Sequence, residues 1–349
     1  MRTGRNIVAA ARSRREEASV SNRWRVPVLL LILGLVLGVG LERGYRHLSS
    51  AERAPAAAPG KTKRVQDGSA AALNREELKL SAIVTQLSSF NGSSIYNVRA
   101  YHTYRVFLDR YLGRDAKARV LEIGPGINLG TGLLFAMGGA EKYYGLDIYR
   151  DPDLLGAPQY ESIVDLMTRI APDEITRPAT EIMKVADGRV SFDPNRVEYL
   201  YPHQSYDIPL PDGSVDYIFS NATLEHVTDP MRTVEAFARA LRTGGVTAHL
   251  IDLRDHRDFS HPLEFLKIDD ASWQARYKDP AILYLYMNRW RASDFKAAFE
   301  KVGFEILEMR PSSTYPVTEA VRATFQPRFQ KDSLEDLSIT GLLIVARKK

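Results

Sequence analysis

Val120-Leu-Glu-Ile-Gly-Pro-Gly-Ile-Asn-Leu-Gly130 is the stretch that decides the fold. A short apolar run, residues 119–123, breaks into a glycine turn, and a helical pattern follows over about residues 129–137. A buried strand that feeds a tight turn and then a helix is how an α/β fold builds a ligand crevice. Gly124 and Gly126 carry no Cβ and tolerate positive φ, so a ligand can lie against bare backbone. Spacing separates the candidate ligands. The dinucleotide fingerprint needs G-x-G-x-x-G, and here the third glycine, Gly130, arrives one residue late with Leu129 in its place. A nicotinamide dinucleotide, and an oxidoreductase built on one, is therefore the weaker reading.

Glu122 stands two residues before Gly124. This E-x-G-x-G form resembles motif I of the class I S-adenosyl-L-methionine (SAM) methyltransferases. The resemblance implies an α/β fold: a Rossmann-like seven-stranded sheet with helices on both faces. It also implies SAM as cofactor, with Glu122, Gly124, Pro125 and Gly126 holding its methionine part. Asp147 closes a second strand pattern about 20 residues beyond the glycines, where a carboxylate can accept both hydrogens of a ribose diol. The resemblance gives it the same role. Further on, Pro209-Leu-Pro-Asp-Gly-Ser214 leads through an apolar run into Ser220-Asn-Ala-Thr-Leu-Glu-His-Val-Thr-Asp-Pro230. That block is similar to the signature of the type-11-like SAM methyltransferases, which implies that Ser220, Asn221 and Glu225 line the cofactor. Relatives contact the adenine through an acid just before the proline-rich turn. Gln204 occupies the loosely matching position, and its amide can still hydrogen-bond a base.

His226 falls at the carboxyl end of its strand, where ligands bind in open α/β sheets, and a histidine titrating near neutrality suits a general base. Equally, Glu225 and His226 can simply start and cap the next helix. The loop after the following strand is dense in ionisable groups: Asp252, Arg254, Asp255, His256, Arg257, Asp258 and His261. It is similar to a D-H-F-S-H-P-L-x-F-L segment of some bacterial methyltransferases, several of which act in surface-polysaccharide pathways. His256, His226 and Asp255 are the catalytic candidates. A metal cluster of Asp255, His256 and His261 is the lesser reading and no metal is expected; a salt-bridged, solvated loop is the plain alternative. Arg289 and Arg291, in an Asn-Arg-x-Arg pattern, would either bind an anionic substrate group or pin the insertion to the core.

The 349 residues include no cysteine, which excludes disulfides and thiolate chemistry. The net charge of +4 is too mild to imply nucleic-acid binding. Residues 1–25 form an arginine-rich tail. The uncharged run 26–41 would make about 24 Å of helix at 1.5 Å per residue, short of a ~30 Å hydrocarbon core. Trp24, Arg25, Arg43, Tyr45 and Arg46 can extend it by interfacial anchoring. We read residues 26–45 as a single transmembrane anchor, ahead of a cleaved signal ending at Gly38-Val-Gly40. Basic residues flank both ends, so charge does not set the orientation. Because SAM is made in the cytosol, the catalytic domain is expected there. Residues 46–72 read as a flexible linker, and 73–349 as the methyltransferase domain, with insertions at about 149–203 and 253–291. Helices are expected over about 75–87, 98–112, 161–170, 229–241 (closed by Gly244-Gly245), from 280, and 294–302 (capped by Ser293). The expected function is O-methylation of a glycan, lipid-linked or other small acceptor near a membrane. The rival is a non-catalytic tethered interaction module, and a homodimer is left open.

Overall fold

A computed structural model of the chain describes residues 92–114, 117–126, 128–148, 156–277 and 286–349. The tail, the anchor run, the linker, the first expected helix and the helix expected from residue 280 lie outside them. Among the described residues no helix is long and apolar enough to cross a membrane.

Seven strands form the main sheet: β1 (Arg119–Ile123), β2 (Lys142–Leu146), β5 (Val197–Leu200), β6 (Val215–Asn221), β7 (Leu241–Asp252), β8 (Phe304–Thr314) and β9 (Ile339–Lys348), in the order β5-β2-β1-β6-β7-β9-β8. All neighbours are parallel except the two pairings of β9. This is the mostly parallel, helix-flanked sheet the sequence implies. From β1 the chain builds outward to β2 and β5, then returns to place β6 on the other side of β1. The carboxyl ends of β1 and β6 therefore form the switch point where such sheets open a crevice. β3 (Met183–Ala186) and β4 (Arg189–Phe192) form a separate hairpin that turns through Asp187 and Gly188, both at positive φ.

Both faces are covered. On one, α1 (Gly92–Leu112), α2 (Gly130–Met137) and α3 (Ala157–Ile170) pack through Tyr101, Tyr104, Leu108, Phe135 and Tyr160. On the other, α4 (Pro230–Ala240) and, later in the chain, α6 (Ala292–Val302) contribute Phe237, Phe295 and Phe299. A third cluster, with Phe265, Trp273, Phe325 and Phe329, unites the second insertion, including α5 (Asp270–Arg276), with the segment before β9. Short helices α7 (Glu319–Arg322) and α8 (Leu334–Ser338) lie in that segment.

Several local expectations change. α1 starts at Gly92, ahead of the expected residue 98, and Ser94 there bonds Ser162 of α3 at 2.9 Å. β5 is a strand of the main sheet inside what the sequence presents as an insertion. Its four residues alternate too briefly to stand out among proline turns. Gly244 and Gly245 do not cap a helix: α4 ends at Ala240, and Leu241 already begins β7 in extended conformation. Ser293 does not cap α6 either. Arg291 holds that position, and both the backbone N–H and the hydroxyl of Ser293 donate to Asp336, at 2.8 Å each.

Candidate active site

The loop after β1 is shaped by backbone. Gly124 and Gly126 have φ of +73° and +75°, the left-handed region that favours glycine. The Gly124 N–H donates to the Leu146 carbonyl at 2.9 Å, tying the turn to the end of β2. A Cβ on Gly124 would meet Thr223 at 2.6 Å, whereas one on Gly126 would meet nothing within 4 Å among the described residues. Gly126 thus faces space left open by them. Asp147, just past β2, accepts from the Gly126 N–H at 3.3 Å and the Ile148 N–H at 2.7 Å. Glu122, on β1, is buried and accepts from the Tyr143 hydroxyl at 2.5 Å. Burial, opposed by that hydrogen bond and reinforced by the Asp147 charge, pushes the Glu122 carboxyl up to about 8. Gln204 is exposed on the loop beyond β5, next to His203, whose N–H donates to the Asp147 carbonyl at 2.9 Å.

Helix α1 lies over the crevice. The Tyr104 hydroxyl donates to the Ser220 carbonyl at 2.7 Å and to Asn221 Oδ1 at 3.1 Å, and Asn221 Nδ2 donates to the Tyr96 hydroxyl at 3.1 Å. Burial, then the charge of Glu122, push Tyr96 up to about 12, and Glu225 adds to this. Tyr96 therefore senses both carboxylates, one from each side of the crevice. Sequence reading started this helix two residues too late to include it. Ser220 departs from expectation: its hydroxyl bonds His249 Nδ1 at 2.7 Å, inside the core beneath Phe237. That leaves Asn221 as the polar side chain of the pair at the crevice.

A second polar group gathers at the ends of β6 and β7. Glu225 and His226 sit on a turn ahead of α4, whose N-cap is Asp229, so they neither start nor cap that helix. Asn288 clamps this turn. Its side chain donates to the carbonyls of Leu224 and Val227 at 2.6 and 3.2 Å, and its N–H to that of Glu225 at 2.9 Å. His226 Nδ1 donates to the Tyr286 carbonyl at 2.7 Å, which leaves the lone pair on Nε2, 4.0 Å from Glu225 Oε1. His256 packs edge-on against the His226 ring, with centroids 4.9 Å apart. Burial, then the neighbouring His256, bring His226 down to about 4. Glu225 is raised far above the carboxylate range by burial, with the Asp252 charge adding to it. Burial would also raise Asp252, but Arg254 and His256 hold it far below that range.

The remaining candidates play other parts. Asp255 is buried and bound by Arg257 through Nε and Nη2, at 2.9 and 2.7 Å, so this carboxylate shapes the loop and is not available as a base. His261 is exposed and pairs with Asp258, so Asp255, His256 and His261 do not form a ligand set. Arg291 is fully buried on the carbonyls of Leu253, Leu337 and Ile339, and Arg289 binds those of Phe265 and Ile268. Both pin the insertion. The sequence leads to no metal site; in the structure Glu225, His226 and His256 bring ligand atoms within 4.8 Å of one another, and the distance of His256 from the other two along the chain gives no spacing signal.

A family model described as a methyltransferase domain matches residues 96–309. The chain belongs to that family. SAM is the family's cofactor. The methyltransferase domain supplies both halves of the crevice, from Tyr96 to Asn288. No curated protein matches the chain. Among solved structures, an S-adenosylmethionine-dependent methyltransferase from Mesorhizobium loti is 18% identical, covering 69% of this chain and 96% of its own, with a TM-score of 0.36. The geranyl diphosphate C-methyltransferase of Streptomyces coelicolor A3(2), solved with Mg²⁺, geranyl diphosphate and S-adenosyl-L-homocysteine, is 15% identical over 71% and 77% of the two chains, TM-score 0.39. Phosphoethanolamine N-methyltransferase 2 of Haemonchus contortus, solved with SAM, is 15% identical over 71% and 52%, TM-score 0.39.

The residues of the first half fit SAM. Open space in front of Gly126 admits a ligand against the backbone. Glu122 and Asp147 place two carboxylates around the loop, close enough for Asp147 to raise Glu122. An ammonium beside Glu122 would relieve its burial, and ribose hydroxyls can donate to Asp147.

Proposed function

We propose that this methyltransferase uses SAM to methylate a hydroxyl on a small acceptor, a glycan or a lipid-linked molecule, beside a membrane. The observation that carries the reading is the pairing of an open glycine loop with a buried, unpartnered polar group across the crevice, joined by Tyr96 and Asn221. When bound, SAM supplies an electrophilic methyl whose sulfur leaves as a neutral thioether. Glu122 and the backbone of residues 124–126 hold the methionine part, and Asp147 the ribose. Gln204 stands at the adenine end, and Asn221 lines the floor. Glu225, His226 and His256 receive the acceptor's O–H: among the described residues the Glu225 oxygens and His256 nitrogens have no hydrogen-bond partner, and the His226 Nε2 lone pair is left by the bond from Nδ1 to Tyr286. These residues would take the acceptor's hydroxyl proton or pass it to water. Positioning and a basic site are what such a displacement asks of a protein.

Residues 26–41 would tether the domain as a single-pass anchor, with the domain facing the cytosol where SAM is made. The sequence run and the glycan-pathway resemblance of the loop around His256 support this. Comparative mass spectrometry of cell-envelope glycans and lipids, with and without the protein, tests it. One species heavier by a single CH₂ is expected only when the protein is present. An unchanged envelope alongside a methylated soluble metabolite would refute the membrane acceptor.

A further inference from the structure

The turn after β6 and the loop after β7 bring three metal-ligating side chains to one point. Glu225, His226 and His256 each offer a ligand atom, and these atoms lie within 4.8 Å of one another. We propose that they bind a divalent first-row transition-metal ion, of the Zn²⁺ or Mn²⁺ kind, which receives the acceptor's oxygen. The ion's role toward the acceptor rests on the methyltransferase reading above; the binding site does not.

The first argument is what the side chains lack. Among the described residues, neither Glu225 oxygen and neither His256 ring nitrogen has a hydrogen-bond partner, and the two side chains are 2% and 1% exposed. They do not satisfy His226 either, since 4.0 Å from His226 Nε2 to Glu225 Oε1 is too long for a hydrogen bond. Buried carboxylates are ordinarily paired or bound to metal. Arg254 grips both oxygens of Asp252, at 2.9 and 2.6 Å, and its charge also acts on Glu225, where it opposes the rise caused by burial. One cation among the three would take a Glu225 oxygen and one His256 nitrogen as ligands, leaving the other His256 nitrogen to its outer neighbour.

The second argument is orientation. A ligating imidazole gives its other N–H to a carbonyl or carboxylate, which fixes the tautomer. His226 does this through Nδ1 to the Tyr286 carbonyl, and the free Nε2 is the atom nearest Glu225. His256 has Asp252 Oδ2 3.5 Å from Nε2 as its outer carboxylate. Asn288 holds the turn that carries two of the three ligands.

The donor set names the ion. Two imidazoles and a carboxylate suit Zn²⁺, Mn²⁺ or Fe²⁺, whereas Mg²⁺ and Ca²⁺ prefer oxygen throughout. Three protein ligands leave a coordination position open, the mark of sites that handle substrate.

The test uses the full chain, stripped with a chelator and titrated calorimetrically with Zn²⁺ alone, Mn²⁺ alone and, separately, SAM. The expected result is uptake of one equivalent of at least one ion. Uptake should weaken at least a hundredfold in Glu225→Gln and His256→Ala, and should persist in His261→Ala, whose ring is outside the cluster. Loading the unaltered chain with Co²⁺ gives a check that needs no variant, a visible spectrum of mixed nitrogen and oxygen ligation. If SAM binds but the stripped chain takes up neither ion, the metal site is wrong and the methyltransferase reading stands. If an ion binds and SAM does not, the site stands and that reading falls. Uptake unchanged in both ligand variants, or a Co²⁺ spectrum without nitrogen ligation, also overturns the site.

Discussion

The two sides of the crevice are built by different means. On the β1–β2 side, backbone does the work: two left-handed glycines, an open approach at Gly126 and an aspartate that closes its own loop. On the β6–β7 side, side chains do it: a carboxylate and two imidazoles from separate segments, held by Asn288 and backed by Asp252 and Arg254. The first side is local in sequence and its polar groups are bonded to one another. The second is assembled by the fold and, among the described residues, leaves Glu225 and His256 without hydrogen-bond partners. A protein keeps such groups buried at a cost of about 1–3 kcal/mol each, so they mark the place where something else binds. One side is a generic cradle; the other is the place we propose for the acceptor.

The two sides should therefore fail differently. The largest effect is expected from His256→Ala: turnover falls by about 10²–10⁴-fold, the range for loss of an acid–base or equivalent contribution, while SAM affinity stays within a few-fold. Matched weakening of SAM and turnover would erase the distinction between the sides. Asp147→Ala should do the reverse, weakening SAM by about 1–3 kcal/mol through lost hydroxyl bonds. Unchanged affinity in a titration would remove the ribose assignment. Gly124→Ala should destabilise the fold more than Gly126→Ala. Both carry a left-handed cost of about 1–2 kcal/mol, but only the first also drives a Cβ into Thr223. Equal melting temperatures would contradict the loop geometry.

The smallest effect is a pH slope. Glu122 titrates at about 8 when folded, above its ordinary 4.5, so the folded state holds more protons through that window. Its contribution is fully present below the ordinary carboxyl value and is lost as pH rises through 8. Denaturant melts of Glu122→Gln should lose this decline between about pH 4.5 and 8, and a variant with the native slope would show that Glu122 is ionised already.

How much the sequence disclosed follows the same division. Glu122, Gly124, Gly126 and Asp147 are legible because strand, turn and helix are contiguous and the glycine spacing has a mechanical meaning. β5 is hidden by its brevity, and Tyr96 by a helix that starts earlier than its apolar periodicity does. Ser220 reads as a ligand contact by motif, yet the pleat turns its hydroxyl into the core toward His249. Asn288 and the union of Glu225 with His256 have no local signature, since only the return of the second insertion brings them to the β6 turn. Asp255 and His256 are neighbours with opposite fates, one bound by Arg257 and one with no hydrogen bond among the described residues, and no composition argument separates them.

The backbone around Gly126 is the proposed floor of the SAM site. Calorimetric titration of SAM into the full chain and into Gly126→Ala tests it most directly. The account predicts one-to-one binding to the native chain and at least a tenfold loss in Gly126→Ala, with both proteins folded. Equal affinities, or no binding to the folded native chain, would contradict it.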